Sequence, residues 1–475
     1  MASKKAALFG SKPNILFILS DDHGYGDLSF YGRDATVQTP NLDQIRKQGM
    51  LFEQGFVSAP ICSPSRASLM VGSYQQRWGA EWFGNSSFAP APYQSIPEVL
   101  KEAGYRSGYF GKVHYGPDSP GSRGCPDQHG FDESFYGLAA QGMGRLHYLT
   151  HEKKATETYG EAANILGMHE MYENGQAVEC HEHLTQVFGK RAQNFIQQAI
   201  KEETPYFCML AFNAVHNFAW QLPEEELEKR QLPSCPDFDP QMGEYLDWYD
   251  GAIAPRLPNG REYYLAQLEL MDQAIGEVLA TLDATGTAEN TLVVYLTDNG
   301  GSYCNFGNNA PLTGSKYSLF EGGIRVPYLV RWPKVIEAGS QTNTLVSSLD
   351  LLPTFAYLAG VEQSTQVPID GVNLVPSFIG EADAGHDALY FDTDFQWSVR
   401  LKDWKLHEVR SDLDSQNARQ VMKQVEHTDI GEGKSLFHLK AEIKEEPIFN
   451  CANDYPEKVE ELTKMYQAWR QKIDH

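Results

Sequence analysis

Two almost wholly apolar runs indicate strands that are buried on both faces. The runs cover residues 14–19 and 291–297, and runs of this kind are typical of the central strands of a parallel sheet. Comparable runs predict further strands at 105–110, 206–212 and 327–332. Since strands and helices alternate along this part of the chain, the pattern predicts an α/β fold.

Apolar residues at helical spacing lie between the predicted strands. They predict three helices, at 39–48 with Gly49 as the terminating glycine, from Ser95 to near Gly104, and at 261–282. Ser95 followed by Glu98 has the spacing of a capping box. The stretch 115–180 has weak periodicity and many Gly, His and Tyr residues, so we expect long loops there.

The pattern changes at about residue 385. Short strands are predicted at 388–391, 397–400, 404–407 and 435–439, followed by an amphipathic helix from about Pro456 to Ile473. This order predicts a small antiparallel sheet with a terminal helix. We therefore divide the chain into an α/β catalytic domain, residues 1–384, and a C-terminal subdomain, residues 385–475.

Charge and composition exclude several classes of function. The 475 residues carry a formal net charge of −24, which argues against a nucleic-acid partner. This charge also opposes long-range attraction of an anionic substrate, so local cations would have to bind one. The sequence contains no run of 18 apolar residues, so it predicts no membrane-spanning helix. Seven cysteines without paired metal spacing are too sparse for a disulfide scaffold, and the sequence leaves their pairing open.

Both central strands end in oxygen ligands. The first is followed by Asp21 and Asp22, and the second by Asp298 and Asn299. Ligands of open α/β sheets bind at the carboxyl ends of strands, and four hard oxygen ligands suit calcium or magnesium. The alternative for each pair alone is a helix cap or a turn.

The segment Cys62-Ser63-Pro64-Ser65-Arg66 has a specific pattern. It resembles the sulfatase signature Cys-x-Pro-x-Arg, whose cysteine is oxidised after synthesis to formylglycine. The hydrated aldehyde has two hydroxyl groups, of which one can attack a sulfate ester and the other can later expel the sulfate. The alternative for this segment alone is a buried cysteine beside a proline turn.

The resemblance extends over nearly the whole chain, and it is to the formylglycine-dependent sulfatases of the alkaline-phosphatase superfamily, in a carbohydrate-sulfatase-like form. The matching segments are 18–22, 39–43, the Cys62 signature, 111–114, His216, 297–300, Lys316, 321–327 and the C-terminal 436–439 with its closing helix. The resemblance implies a large mixed β-sheet sandwiched by helices, with a smaller antiparallel sheet appended. Val113, Phe218 and the histidine-rich stretch 180–183 depart from the common pattern, which bears on substrate identity.

The resemblance also implies a role for each site residue. Asp21, Asp22, Asp298 and Asn299 would hold a calcium ion together with the modified Cys62, and Asp298 would accept the proton of the attacking hydroxyl. Arg66 lies one helical turn after Cys62 if a helix begins there, and with Lys112 it would hold the diol. His114 would take the second hydroxyl proton. His216 and Lys316 would bind sulfate, and one of them would protonate the leaving alcohol.

Substrate, partners and location follow from the resemblance as expectations. The substrate would be a sulfated polysaccharide or oligosaccharide, and a formylglycine-generating enzyme or an anaerobic maturase would modify Cys62. The apolar patch at 6–10 is too short for a secretory signal. The protein is either cytosolic or, as we expect because such relatives are usually exported, periplasmic or secreted with its signal peptide absent from this sequence.

Two other functions stay open, and several residues are candidates for a substrate pocket. The chain could be a phosphate or phosphonate monoester hydrolase that uses the same nucleophile, or a catalytically idle carbohydrate-binding relative. Candidate residues of a substrate pocket, each with a structural role as the alternative, are His147, His151, His181, His183, Trp78, Trp82 and Trp220.

Overall fold

The computed structural model describes residues 12–82, 84–116, 119–139, 146–149, 151–154, 157, 169–235, 257–362, 366–410 and 433–473. Its strands form two sheets. The ten-stranded sheet contains β1 Asn14–Ser20, β2 Met50–Phe56, β3 Arg106–Lys112, β4 Glu133–Gly137, β5 Met171–Glu173, β6 Gln176–Val178, β7 Tyr206–Ala211, β8 Thr291–Thr297, β9 Tyr328–Arg331 and β10 Ser340–Ser347. The four-stranded sheet contains β11 Ala388–Asp392, β12 Gln396–Leu401, β13 Trp404–Val409 and β14 Gly433–His438.

Helices cover both faces of the large sheet. Within the described residues the α-helices are α1 Pro40–Gln48, α2 Cys62–Val71, α3 Ile96–Lys101, α4 Leu184–Lys201, α5 Glu224–Arg230, α6 Gly260–Ala284, α7 Glu321–Ile324, α8 Leu351–Ala359, α9 Val375–Phe378 and α10 Pro456–Ile473. The capping box predicted at Ser95 and Glu98 is present at the start of α3. No helix in these ranges is both long enough and apolar enough to cross a membrane.

The centre of the large sheet is parallel, and its margins contain antiparallel pairs. The strand order is β10-β2-β9-β8-β1-β7-β3-β4-β5-β6. Strands β8, β1, β7, β3 and β4 run parallel to one another, whereas β9 runs antiparallel to both β8 and β2. The mixed sheet and the separate antiparallel sheet β11-β12-β13-β14 confirm the predicted α/β architecture.

Alternate residues of β1 enter two different cores. Leu16 and Ile18 pack on one side of the sheet with residues of α4 and α6. Ile15, Phe17 and Leu19 pack on the other side with residues of α2 and α8. Side chains of successive strand residues point to opposite faces, so a strand covered by helices on both sides is apolar throughout. This explains why the β1 run is unbroken.

The prediction of long loops over 115–180 is wrong in part. Strands β4, β5 and β6 lie in this stretch and extend the sheet beyond β3. Strands β5 and β6 have three residues each, and so few residues give almost no alternation to detect. Residues 117–118, 140–145, 150, 155–156 and 158–168 lie outside the described residues, and the loop prediction stays untested there.

The C-terminal strands and helix lie where the sequence predicts them. Strand β11 starts at Ala388, and α10 ends at Ile473. Trp397, Val399, Leu406 and Leu436 of this sheet pack with residues of α10 in a cluster that also includes Tyr74 and Leu349. The division into domains at residues 384 and 385 stays a prediction.

Candidate active site

Parallel strands of the large sheet deliver polar residues to one edge. Ser20 at the end of β1 lies opposite Thr297 at the end of β8, so Asp21 and Asp298 become neighbours. Lys112 is the last residue of β3, which runs parallel to β7, and β7 runs parallel to β1. Carboxylates and an ammonium group from strands far apart in the sequence are therefore brought together by the register of the sheet.

Helix α2 brings Cys62 to the same edge. The helix begins at Cys62, and all ten of its residues are buried. The Cys62 Sγ atom lies 3.4 Å from Asp21 Oδ1, 4.0 Å from Asp22 Oδ1 and 3.2 Å from Lys316 Nζ. The predicted helix start is confirmed, and it places Arg66 one turn further along on the same face.

Three cations balance the three carboxylates of the site. Arg66 Nε donates to Asp298 Oδ2 at 2.7 Å, Lys112 Nζ donates to Asp21, and Lys316 Nζ lies 2.8 Å from Asp22 Oδ1. The exposed fraction of each of these six side chains is 3% or less. Ionic groups so deeply buried need partners, because an unpaired charge in the interior is strongly destabilising.

Two histidines complete the cluster. His216 Nε2 lies 3.1 Å from Lys316 Nζ and 3.6 Å from Asp22 Oδ2. His114 follows the end of β3 by two residues and is buried. Both Asp22 and His114 have left-handed backbone conformations, with φ of 56° and 53°. Non-glycine residues adopt this region at an energetic cost, and such residues cluster at functional sites.

Burial and neighbouring charges shift the pKa values of the site. Burial, followed by the Asp298 charge, raises the pKa of Asp21 to about 7 despite the nearby Lys112 and Arg66. Burial and then the Asp21 charge raise the pKa of the Cys62 thiol well above its usual value. An ordinary thiolate nucleophile is therefore disfavoured at this position, since it is the ionised form that attacks.

The neighbouring cations lower the pKa values of two other groups. Burial is the largest single influence on Asp298 and tends to raise its pKa, but the charges of Arg66, Lys112 and Lys316 together lower it. Burial, followed by the Lys112 charge, lowers the pKa of His114 well below its usual value. His114 is therefore neutral, as a proton acceptor must be.

Oxygen donors that suit a hard divalent cation lie beside the Cys62 thiol and the His216 imidazole. Ligand atoms of Asp21, Asp22, Cys62 and His216 all lie within 4.8 Å of one another. Asn299 directs its amide nitrogen to Asp22 Oδ1 at 2.7 Å, and its buried Oδ1 atom has no hydrogen-bond partner among the described residues. A carbonyl oxygen without a donor beside two carboxylates is what an oxygen-coordinated cation such as calcium requires.

Asn305 belongs to this site although the sequence pattern did not indicate it. Its Nδ2 atom donates to Asp22 Oδ2 at 2.6 Å, and the side chain is buried. It lies in a 3₁₀ turn, Tyr303–Asn305, after the end of β8. An asparagine in an irregular segment has no periodicity that would distinguish it, so only the position of this segment just after Asp298 and Asn299 could have signalled it.

Glycines allow the segment after β8 to approach the short helix α7 closely. A Cβ atom on Gly300 would lie 1.8 Å from the Gly322 carbonyl oxygen. The Gly300 amide instead donates to the Gly323 carbonyl at 2.9 Å. This close contact fixes the main chain directly after Asn299.

Three of the candidate pocket histidines have structural partners. His151 bonds to the carbonyls of His169 and His147, and His183 bonds to Gln267. His147 accepts from Gln221. His181 is exposed and lies on the wall of a separate surface cavity of about 350 Å³.

The candidate tryptophans differ in their surroundings. Trp220 belongs to the core beside α6, and Trp78 packs at the margin of the other core. Trp82 instead packs with Ile61, the residue before Cys62, and with Phe395. All seven cysteines lie in the described residues, and all are free thiols.

Comparison with known proteins identifies the class. A family model described as Sulfatase matches residues 13–361, and one described as N-sulphoglucosamine sulphohydrolase, C-terminal, matches residues 315–415. N-acetylgalactosamine-6-sulfatase of Canis lupus familiaris is 29% identical over 492 residues, covering 96% of this chain and 85% of that protein. Steryl-sulfatase of Rattus norvegicus is 30% identical over 459 residues, covering 81% and 74%.

A solved structure agrees with the sequence comparison. The crystal structure of Ps i-CgsB in complex with k-i-k-neocarrahexaose has a TM-score of 0.77 and 28% identity, covering 97% of this chain and 93% of that chain. The chain belongs to the sulfatase family. It is a sulfuric ester hydrolase, as the resemblance of the Cys62 segment predicts.

We expect Asn305→Ala to lower kcat/KM for an aryl sulfate by about 10- to 100-fold. Asn305 bonds to Asp22, a predicted metal ligand, and groups that orient a ligand of a metal site typically have effects of this size. The measurement is steady-state hydrolysis together with the unfolding temperature. Asn290→Ala, at the opposite end of β8, is the matched control and should hydrolyse like the parent. A folded Asn305→Ala variant with parental kcat/KM would contradict a role for Asn305 in holding Asp22.

Proposed function

We propose that the protein hydrolyses sulfate esters of a carbohydrate, with a formylglycine formed from Cys62 as nucleophile and a calcium ion at the ends of β1 and β8. The single observation that carries this proposal is the convergence on Cys62. Its Sγ atom lies within 4.0 Å of Asp21, Asp22 and Lys316, in a chain of the sulfatase family. We propose further that a formylglycine-generating enzyme or an anaerobic maturase modifies the protein, and that it is exported.

With formylglycine in place of the Cys62 thiol and His216 assigned to the substrate, the remaining donors are oxygens, which favour calcium over a transition metal. Asp21, Asp22 and Asp298 supply carboxylate oxygens, and Asn299 supplies the unpartnered amide oxygen. When bound, the ion would polarise a sulfate oxygen and counter the charge that develops during the reaction. Calcium prefers six to eight such oxygen ligands, whereas zinc sites are built from nitrogen and sulfur.

The residues around Cys62 then have separate tasks. Arg66 and Lys112 are fixed by Asp298 and Asp21. Both cations are therefore already in position to orient the hydrated side chain at position 62. Asp298, whose pKa is lowered, stays ionised and accepts the proton of the attacking hydroxyl. Neutral His114 accepts the proton of the second hydroxyl, which allows sulfate to leave and the aldehyde to form again.

Lys316 and His216 act on the substrate side. Their nitrogen atoms lie 3.1 Å apart. Although burial tends to lower the pKa of Lys316, the Asp22 charge leads the effects that raise it well above its usual value, so the lysine is a fixed positive charge for a sulfate oxygen. We assign protonation of the leaving alcohol to His216, because the lysine holds its proton too tightly for efficient transfer.

Relatives favour a carbohydrate over a steroid as the alcohol. The dog N-acetylgalactosamine-6-sulfatase and the carbohydrate-bound Ps i-CgsB each match at least 96% of this chain, whereas the rat steryl-sulfatase matches 81%. The −24 net charge leaves the buried cations of the site as the local attraction for an anionic sugar.

We predict that Cys62 is modified in active protein and that Cys62→Ser abolishes turnover. The modified peptide should be lighter by about 18 Da, whereas ordinary oxidation of a thiol adds oxygen and mass. Serine has one hydroxyl group, so the variant should accumulate as a sulfated protein that intact-mass spectrometry detects.

The control for this prediction is Cys451→Ser in the C-terminal subdomain, which should retain turnover. Parental activity in a preparation with an unmodified Cys62 thiol would exclude the proposed nucleophile.

We predict that chelation of calcium removes activity and lowers the unfolding temperature, and that added calcium restores both. Binding stabilises the folded state by about 2.7 kcal/mol at a ligand concentration 100 times Kd. Asp21→Asn should lose this calcium-dependent stabilisation, whereas Asp370→Asn, in the Arg77 ion pair away from the site, should keep it. Recovery with zinc but not with calcium would refute the assignment.

We predict a higher kcat/KM for at least one sulfated oligosaccharide than for steroid or simple aryl sulfates. The measurement is a panel of sulfated galactose, galactosamine, glucosamine and fucose oligosaccharides, with aryl phosphate included. If every sugar is inert while small sulfates are hydrolysed efficiently, the carbohydrate assignment is wrong. Preferential hydrolysis of aryl phosphate would favour the monoester phosphohydrolase alternative.

A further inference from the structure

Lys316 lies on a short irregular segment that needs support from other parts of the chain. The Lys316 amide donates to the Gly301 carbonyl at 3.2 Å, and the Tyr317 amide donates to the Pro60 carbonyl at 2.8 Å. Tyr317 has a left-handed backbone with φ of 76°, a conformation that is unfavourable for an aromatic residue. The main chain that directs Lys316 toward Asp22 is therefore held by tertiary contacts.

Gln396 of the C-terminal sheet supplies two of these contacts. Its Nε2 atom donates to the Tyr317 carbonyl at 2.8 Å, and its Oε1 atom accepts from the Leu319 amide at 3.2 Å. The side chain is 1% exposed. One buried amide thus holds both ends of the peptide segment directly after Lys316.

His407 fixes the orientation of this amide. Its Nε2 atom lies 3.2 Å from Gln396 Oε1. Burial, followed by the Lys405 charge, lowers the pKa of His407 to about 3, so the ring is neutral. Because the Leu319 amide donates to Gln396 Oε1, this atom is an acceptor and His407 Nε2 is the donor. Since Oε1 then accepts from both His407 and Leu319, the Gln396 amide nitrogen must face the Tyr317 carbonyl.

The residue before Gln396 belongs to an apolar cluster that reaches the start of the Cys62 helix. Phe395 packs edge-to-face on Trp82 with ring centroids 4.8 Å apart, and both belong to a cluster with Ile61 and Tyr317. Ile61 directly precedes Cys62. The turn between β11 and β12 therefore touches both segments that carry Cys62 and Lys316.

We propose that Gln396 is a positioning residue that holds Lys316 in register with Asp22 and Cys62. Without its amide nitrogen the Tyr317 carbonyl loses a buried hydrogen bond, and the left-handed Tyr317 can relax. Lys316 would then shift relative to the sulfate that it binds. This inference rests on the proposed role of Lys316.

Two substitutions separate the parts of this contact. Gln396→Met keeps a similar length and removes the three side-chain hydrogen bonds to Tyr317, Leu319 and His407. Gln396→Glu keeps the acceptor and replaces the donor. We expect either variant, with Cys62 fully modified, to lower kcat/KM for an aryl sulfate by about 10- to 100-fold, the scale of a small misplacement at a reacting centre. Ser398→Ala, which removes a buried hydrogen bond within the same sheet, is the matched control and should keep parental kcat/KM.

A double-mutant cycle shows whether Gln396 acts through Lys316. In a Lys316→Ala background, Gln396→Met should change kcat/KM by less than about twofold, because coupled residues are not additive. If the losses in kcat/KM from the two substitutions multiply in the double variant, Gln396 has a general structural effect and the proposal is overturned. If Gln396→Met fails to fold, the cycle is run with Gln396→Glu.

The same cycle distinguishes this inference from the proposed function. Parental activity of a folded Lys316→Ala variant would refute the proposed role of Lys316, and the inference with it. A loss in Lys316→Ala combined with parental activity in both Gln396 variants would overturn the inference alone.

Discussion

The site depends on keeping three buried carboxylates close together. Asp21, Asp22 and Asp298 are fully buried, and burial, followed by repulsion from the Asp298 charge, raises the pKa of Asp21. Arg66, Lys112 and Lys316 offset this repulsion at hydrogen-bond distance. The position of each cation therefore follows from the charge balance, and the same cations are placed to bind an anionic group at Cys62.

The small C-terminal sheet helps to hold the main chain next to the site. Lys405 of β13 lies 3.2 Å from Glu321 Oε1 and 2.9 Å from Glu445 Oε1, and all three side chains are fully buried. Glu321 begins the Glu-Gly-Gly segment that packs against Gly300, next to Asn299. The ion pairs of the subdomain thus hold the main chain that faces the metal ligands, and breaking them is costly because a buried charge would be left unpaired.

The sequence predicts those parts of the fold and site that have strong local patterns. The buried runs of β1 and β8 and their terminal carboxylates are readable because both faces of a central strand are apolar. Short strands β5 and β6 were missed because three residues hold too little pattern. Asn305 and Gln396 were missed because their partners, Asp22 and Tyr317, are far away in the sequence. Such contacts depend on tertiary register and not on local preference.

The most direct test of the central claim is the relation between activity and the modification of Cys62. Preparations made with increasing amounts of a formylglycine-generating enzyme would be compared by the mass of the Cys62 peptide and by kcat for a sulfate ester at saturating calcium. We predict that kcat is proportional to the modified fraction and extrapolates to zero. Activity that is independent of this fraction, with a large intercept for unmodified protein, would contradict a nucleophile formed from Cys62.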